Sequence, residues 1–258
     1  MKSPVSFSAA SRVWQRNLWV YRTRWLYALL PNFFEPLFYL LGMGLGLGFY
    51  VSAGGEFGGS YLAFIAPGLV AASAMNGASF ETTYNVFIKL HFAKLYDAFI
   101  ATRANMEDVA LGELMWAVTR SLMYGSIFLL ITLFFDTPLT WRILLALPAI
   151  ALIGFCFAAI GLAFTSVIPI IDVYSYYFTL FLTPSFLFSD IFFPVADRFP
   201  PGLVAVAELT PLYRSVQLLR GIIMGDLHGI WIDVAYLLLV GSALATFAIW
   251  QMRRKVVR

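Results

Sequence analysis

The sequence predicts an all-α polytopic membrane protein. Six transmembrane helices are expected, with an N-terminal amphipathic interfacial helix and external re-entrant helices before the last span. Three observations predict it. Hydrophobic residues make up 61% of the 258 and charged residues only 12%, where a soluble domain carries about 25% charged. The apolar residues fall into runs long enough to cross a bilayer. The basic residues gather at the ends of those runs, which marks orientation rather than nucleic-acid binding, despite a net charge of +3.

Residues 5–25 read as a basic amphipathic helix. Trp14, Leu18, Tyr21 and Trp25 form one stripe, and Arg12, Arg16, Arg22 and Arg24 supply the charge. Such a helix lies in the headgroup region against membrane lipid. Docking a partner is the alternative, and both roles can hold together. No apolar core of signal-peptide type precedes Arg12, so no cleavable signal is expected.

The first span is expected over 33–50. Glu35 and Pro36 suit the start of a helix. Gly42 and Gly46, and Gly44 and Gly48, lie one turn apart and permit close helix approach. The GGEFGGS stretch at 54–60 reads as a turn: it has no lysine where a phosphate loop needs one.

The second span is expected over 61–80. A polar, basic interlude follows. From Asn85 to Arg103, Ile88, Phe92, Leu95 and Phe99 recur at helical spacing, while His91, Lys94 and Asp97 take another side. This predicts a short helix slung between two spans, within a loop over 83–106. Asn105 and Asp108 then predict the cap of a long third helix running to about residue 135. That helix carries Glu113 and Arg120, the charges set deepest in any span. They lie two turns apart, too far for a firm direct contact along one helix.

The fourth span is expected over 141–168 and the fifth over 173–188. The fifth is aromatic, with Tyr174, Tyr176, Tyr177, Phe178, Phe181 and Phe186. The segment 189–229 is broken by prolines and holds two short amphipathic helices, near 202–208 and 212–224. Both are too short or too polar for a comfortable span, and helices dipping part way into the bilayer explain them better. The last span is expected over 230–250, before a basic tail.

Six spans put both termini on one side. Lys2, Arg12, Arg16, Arg22 and Arg24, then Lys89, Lys94 and Arg103, then Arg253, Arg254, Lys255 and Arg258 all fall there, twelve of the chain's 17 basic residues. The positive-inside rule makes that side the cytosol, and 189–229 external.

Enzyme chemistry finds no footing. No G-x-x-x-x-G-K-[ST], HExxH, CxxC or GxSxG occurs. His91 and His228 fall on opposite sides of the membrane, so no shared metal site is expected. Cys156 is the single cysteine and lies in an apolar run.

Six stretches, in order along almost the whole chain, carry a family likeness: EPLFYLLGMGLGLG (35–48), YLAFIAPGLVAASAM (61–75), FETTYNVF (80–87), LGELMWAVTR (111–120), FFPV (192–195) and LTPLYRSVQLLRGII (209–223). The chain resembles the membrane subunit of type-2 ABC exporters, and within them the NodJ-like permeases of nodulation-factor export. Asp190 departs from the pattern, standing where relatives often show a small Ser-Gly turn.

The resemblance implies a single type-2 transmembrane domain over 1–258 in a bacterial inner membrane. It implies a homodimer working with two copies of a separate ABC ATPase subunit. ATP and Mg would be bound by that partner, with no cofactor and no ATPase site in this chain. It makes the 83–106 stretch a coupling helix, with Lys94, Lys89, His91 and Asp97 as ATPase-coupling residues. Arg120, Tyr174, Tyr177 and Phe181 are the expected substrate path, for a lipid-linked oligosaccharide or glycolipid. An amphipathic drug as cargo is the alternative within the same fold. A passive channel or membrane anchor is the alternative outside it.

Overall fold

A computed structural model describes residues 6–23, 25, 30, 34, 37–48, 61–102, 104–134 and 141–256. The described residues are helical and contain no strand. Four of the helices are long and apolar enough to cross a membrane: Tyr61–Phe92, Met106–Thr132, Ile143–Val167 and Ile230–Arg254.

Helix α1, Phe7–Arg22, lies against the bundle through Ala10, Val13 and Asn17, and leaves Trp19 and Val20 exposed. Of the expected stripe, Trp14 and Tyr21 also turn to the bundle, towards Thr119 and Trp116, while Trp25 is exposed. Close approach of α1 is permitted by Gly112 on the partner helix. A Cβ at Gly112 would meet the Ala10 carbonyl at 2.7 Å and Val13 Cβ at 2.6 Å. Trp14 Nε1 donates to Thr119 Oγ1 at 2.9 Å, and Ser6 N donates to Asp108 Oδ1 at 2.7 Å.

Helix α2, Leu40–Leu47, is π-wound. The expected 33–50 span falls partly outside the described residues, as do the 54–60 and 136–138 turns. A Cβ at Gly42 or Gly46 would meet nothing within 4 Å. Gly42 and Gly46 therefore have open space beside them among the described residues, whereas a Cβ at Gly48 would meet Tyr61 at 3.7 Å.

Helix α3 runs Tyr61–Phe92 and passes through two π-wound segments, Glu81–Asn85 and Ile88–Phe92. The winding has a local cause. Thr82 Oγ1 donates back to Ala78 O at 3.0 Å and Thr83 Oγ1 to Ser79 O at 2.6 Å, a bonding pattern that bends helices. Thr165 of the neighbouring helix then donates to the Thr82 carbonyl at 2.8 Å. Gly161 gives that helix room: a Cβ there would collide with Thr82 Oγ1.

The expected single helix over 85–103 is interrupted. Lys94 takes φ 46°, ψ 32°, a left-handed conformation that stops α3 and lets α4, Leu95–Ile100, start in a new direction. Ile88 and Phe92 therefore lie on one helix, and Leu95 and Phe99 on another.

Helix α5, Met106–Thr132, begins where the sequence places it. Asn105 and Asp108 form a reciprocal cap, with Asn105 N donating to Asp108 Oδ2 at 2.9 Å. Helix α6 is Ile143–Val167. A 3₁₀ turn, Ile171–Val173, leads into α7, residues 174–187, which is α-helical at both ends and π-wound over Tyr177–Leu182. Fourteen residues rise about 21 Å, short of the roughly 30 Å of a bilayer core. The expected fifth span is thus present as a helix that does not by itself meet the length of a span.

Three short helices follow: α8, Val195–Arg198; α9, Pro201–Glu208; and α10, Pro211–Met224. The last two coincide with the sequence expectation. Helix α10 buries Leu212, Val216, Leu219 and Ile223 against α3, α6 and the final helix α11, Ile230–Val256. Asp190 fastens this region. It sits at φ 66°, 7% exposed, and accepts from Val195 N at 2.7 Å and Gln217 Nε2 at 3.0 Å while pairing with Arg220. A left-handed turn favours glycine; Asp190 adopts it and adds an ion pair.

Candidate functional site

A cavity of about 710 Å³ lies between α3, α5 and α7, with Tyr39, just before α2, at its edge. Its walls are mixed. Phe80, Tyr124, Phe128, Phe178 and Phe186 give aromatic surface, and Ser73, Asn76, Asn85 and Thr183 give hydrogen-bonding groups. Phe80 and Tyr39 are also exposed on the outside of the chain, so the cavity has an open flank. Glu81 and Arg120 form its charged part.

These two residues belong to a buried cluster. Arg120 Nε lies 3.5 Å from Glu81 Oε2, and Lys89 Nζ lies 3.3 Å from Glu81 Oε1 and 2.8 Å from Glu113 Oε2. Asn85 Nδ2 donates to Glu81 Oε2 at 3.0 Å, and Asn17 Nδ2 of α1 donates to Glu113 Oε2 at 3.0 Å. Glu113 and Arg120, too far apart to meet along α5, are joined through Glu81 and Lys89. Two carboxylates face two cations, so the cluster is formally neutral. Isolated buried charges would be far more costly. Eight residues are about 2.2 turns of an α-helix; the wider π turns bring Glu81 and Lys89 onto one face.

Lys89, one of the expected ATPase-coupling residues, holds its ammonium between two carboxylates of the bundle. Lys94 and Asp97 are exposed around the left-handed break, where the sequence places them. His91 packs edge-on against Phe87, ring centroids 4.3 Å apart. Beneath the break, Tyr96 is fully buried. Burial raises its phenol above the ordinary value of 10.0, and the nearby Glu113 carboxylate raises it further.

Of the expected substrate-path residues, Arg120 lines the cavity and Tyr174, Tyr177 and Phe181 do not. Tyr174 and Tyr177 face the bundle interior. Both pack on Phe164, at 5.8 and 4.9 Å between ring centroids, and the Tyr177 hydroxyl lies 3.3 Å from Ser79 Oγ. Their neighbours Phe178, Leu182 and Phe186 take the cavity side. Sequence reasoning missed Glu81 as a partner for Arg120. Its signal was available: a lone carboxylate next to an apolar run, in a chain with a lone arginine deep in the following helix.

No group of three or more His, Cys, Asp or Glu able to hold a metal occurs among the described residues. Cys156 is buried.

The description "ABC-2 type transporter" matches residues 9–224, most of the chain and all of the elements that build the cavity and the charge cluster. The chain belongs to the ABC-2 type transporter family. Members are transport membrane subunits, not themselves ATPases. Within it, the chain is 38% identical over 214 residues to Nodulation protein J of Rhizobium leguminosarum bv. trifolii, covering 83% of this chain and 80% of the relative. It is 36% identical over 208 residues to Nodulation protein J of Sinorhizobium fredii, covering 81% and 78%. The same protein of Azorhizobium caulinodans is 26% identical over 213 residues, covering 82% of each. The chain is therefore a NodJ-like type-2 ABC permease, a multi-pass membrane protein of the export kind.

Proposed function

We propose that this chain is the permease of an ATP-driven exporter that moves a lipo-oligosaccharide out of the cytoplasm, powered by a separate ATPase subunit. The observation that carries the reading is the continuity between the 94–100 break and the cavity. Lys94 ends α3; Lys89, five residues earlier, grips Glu81 and Glu113; Glu81 and Arg120 line the cavity. Two copies of the ATPase closing on ATP would push on Lys94, His91 and Asp97. That rigid-body motion would shift the lower part of α3 and, through the cluster, the cavity's charged wall.

Several features support the assignment. The relatives' name, Nodulation protein J, associates them with nodulation. A cavity with aromatic faces, amides and one cation–carboxylate pair suits a glycan joined to an apolar chain. The open flank by Phe80 and Tyr39, and the space beside Gly42 and Gly46 among the described residues, leave room for a second copy to complete the path. The distribution of Lys and Arg supports a cytosolic side for both termini and the 94–100 break, and an external side for α8–α10.

The test is transport of a fluorescent acyl-oligosaccharide into inside-out vesicles holding the permease and its ATPase. Arg120→Gln should cut ATP-driven uptake about tenfold or more while the complex still assembles. Uptake at the wild-type rate would reject the cavity as the path.

A further inference from the structure

Arg120 is held from a second direction, by the interfacial helix. Asn17 and Tyr21 lie one turn apart on α1, and Glu113 and Arg120 two turns apart on α5. Asn17 Nδ2 donates to Glu113 at 3.0 Å. The guanidinium carbon of Arg120 sits 4.5 Å from the centroid of the Tyr21 ring and 4.9 Å from that of Tyr124. The Tyr124 hydroxyl accepts from Arg120 Nη2 at 2.9 Å. Trp116 packs edge-on against Tyr21, ring centroids 5.7 Å apart, and fixes its plane.

Two nitrogens of this guanidinium make no hydrogen bond to the described residues: Nε, which lies 3.5 Å from Glu81 Oε2, and Nη1; Arg120 as a whole is 9% exposed. An unmet donor on a buried cation is costly unless an acceptor arrives. Arg120 also lines the cavity.

We propose that Tyr21, braced by Asn17, is a positioning residue for cargo. The two aromatic rings hold the guanidinium at the cavity wall, where it meets a cargo oxygen, an acceptor on the glycan part of an amphiphile. The surface helix α1 then contributes directly to cargo affinity, beyond lying at the headgroups. This rests on the reading of the cavity as the cargo site.

The experiment measures binding of a fluorescent acyl-oligosaccharide to the full chain in nanodiscs. Tyr21→Phe should bind within about twofold of wild type. Stepwise fluorination of the phenylalanine ring at that position drains its quadrupole while nearly keeping its shape. Affinity should fall in step, to about tenfold weaker at the most fluorinated ring, with an unchanged unfolding midpoint. Asn17→Ala should weaken binding a few-fold. A flat fluorination series, alongside a large loss in Arg120→Gln, would overturn the positioning role and leave the cavity reading intact. Wild-type binding by Arg120→Gln, or no binding to the wild type at all, would overturn the cavity reading beneath it.

Discussion

Lys89 Nζ lies 2.8 Å from Glu113 Oε2, an ion pair that crosses from the end of α3 to the first half of α5. The Glu113 side chain is fully buried and that of Lys89 partly so. This pair joins the helix that ends at the left-handed break to the helix that carries Arg120.

Removing one partner strands the other. Lys89→Met should destabilise the chain by about 3–5 kcal/mol, because two carboxylates then lose their shared cation in a poorly solvated site. Glu113→Gln in the same chain should restore part of the loss. Unfolding midpoints of the single and double variants in one detergent check this; additive losses would mean that the pair does not interact.

Lys94 separates conformation from charge. Its positive φ strains a side chain by about 1–2 kcal/mol, so Lys94→Gly should keep or raise stability while deleting the ammonium. Lys94→Ile should destabilise, since a β-branched residue tolerates that region poorly. Transport lost in Lys94→Gly with stability kept would assign the ammonium a role of its own. Transport kept in Lys94→Gly and lost in Lys94→Ile would assign the role to the bend.

Gly161→Ala drives a methyl group into Thr82 Oγ1. Overpacking of this kind costs about 1–3 kcal/mol. The variant should lower the unfolding midpoint, and Thr82→Ala should relieve part of the loss by emptying the same space.

Tyr96 sets an alkaline limit. Its phenol is raised by burial in the folded chain and titrates near 10.0 when unfolded. Above pH 10 the unfolded chain therefore loses this proton first, and the folded state loses stability as pH climbs from 10 towards the raised value. Below pH 10 the group contributes no slope. Unfolding midpoints read from pH 8 to 11 should fall less steeply above 10 in Tyr96→Phe than in the wild type.

The sequence makes the membrane class, the Asn105–Asp108 cap and the two helices before α11 legible, because each has a local signal: composition, capping chemistry and proline breaks. The π-wound end of α3 is less legible. It depends on Thr82 and Thr83 bonding backwards and on Gly161 admitting Thr165, and these are tertiary events. The stop at Lys94 has no sequence mark, since lysine is no left-handed residue by preference. The facing of α7 is hidden for another reason. When aromatic residues fall on every side, as from Tyr174 to Phe188, periodicity does not distinguish Tyr177 from Phe178, and packing on Phe164 decides. Arg120 stood out as a deep charge, but its partner Glu81 had to be found in space.

The most direct measurement is uptake of the fluorescent acyl-oligosaccharide into inside-out proteoliposomes, with the chain alone and with its ATPase subunit, each with and without ATP. Uptake only when permease, ATPase and ATP are all present is the predicted result. Uptake by the chain alone, at a rate indifferent to ATP, would contradict the account.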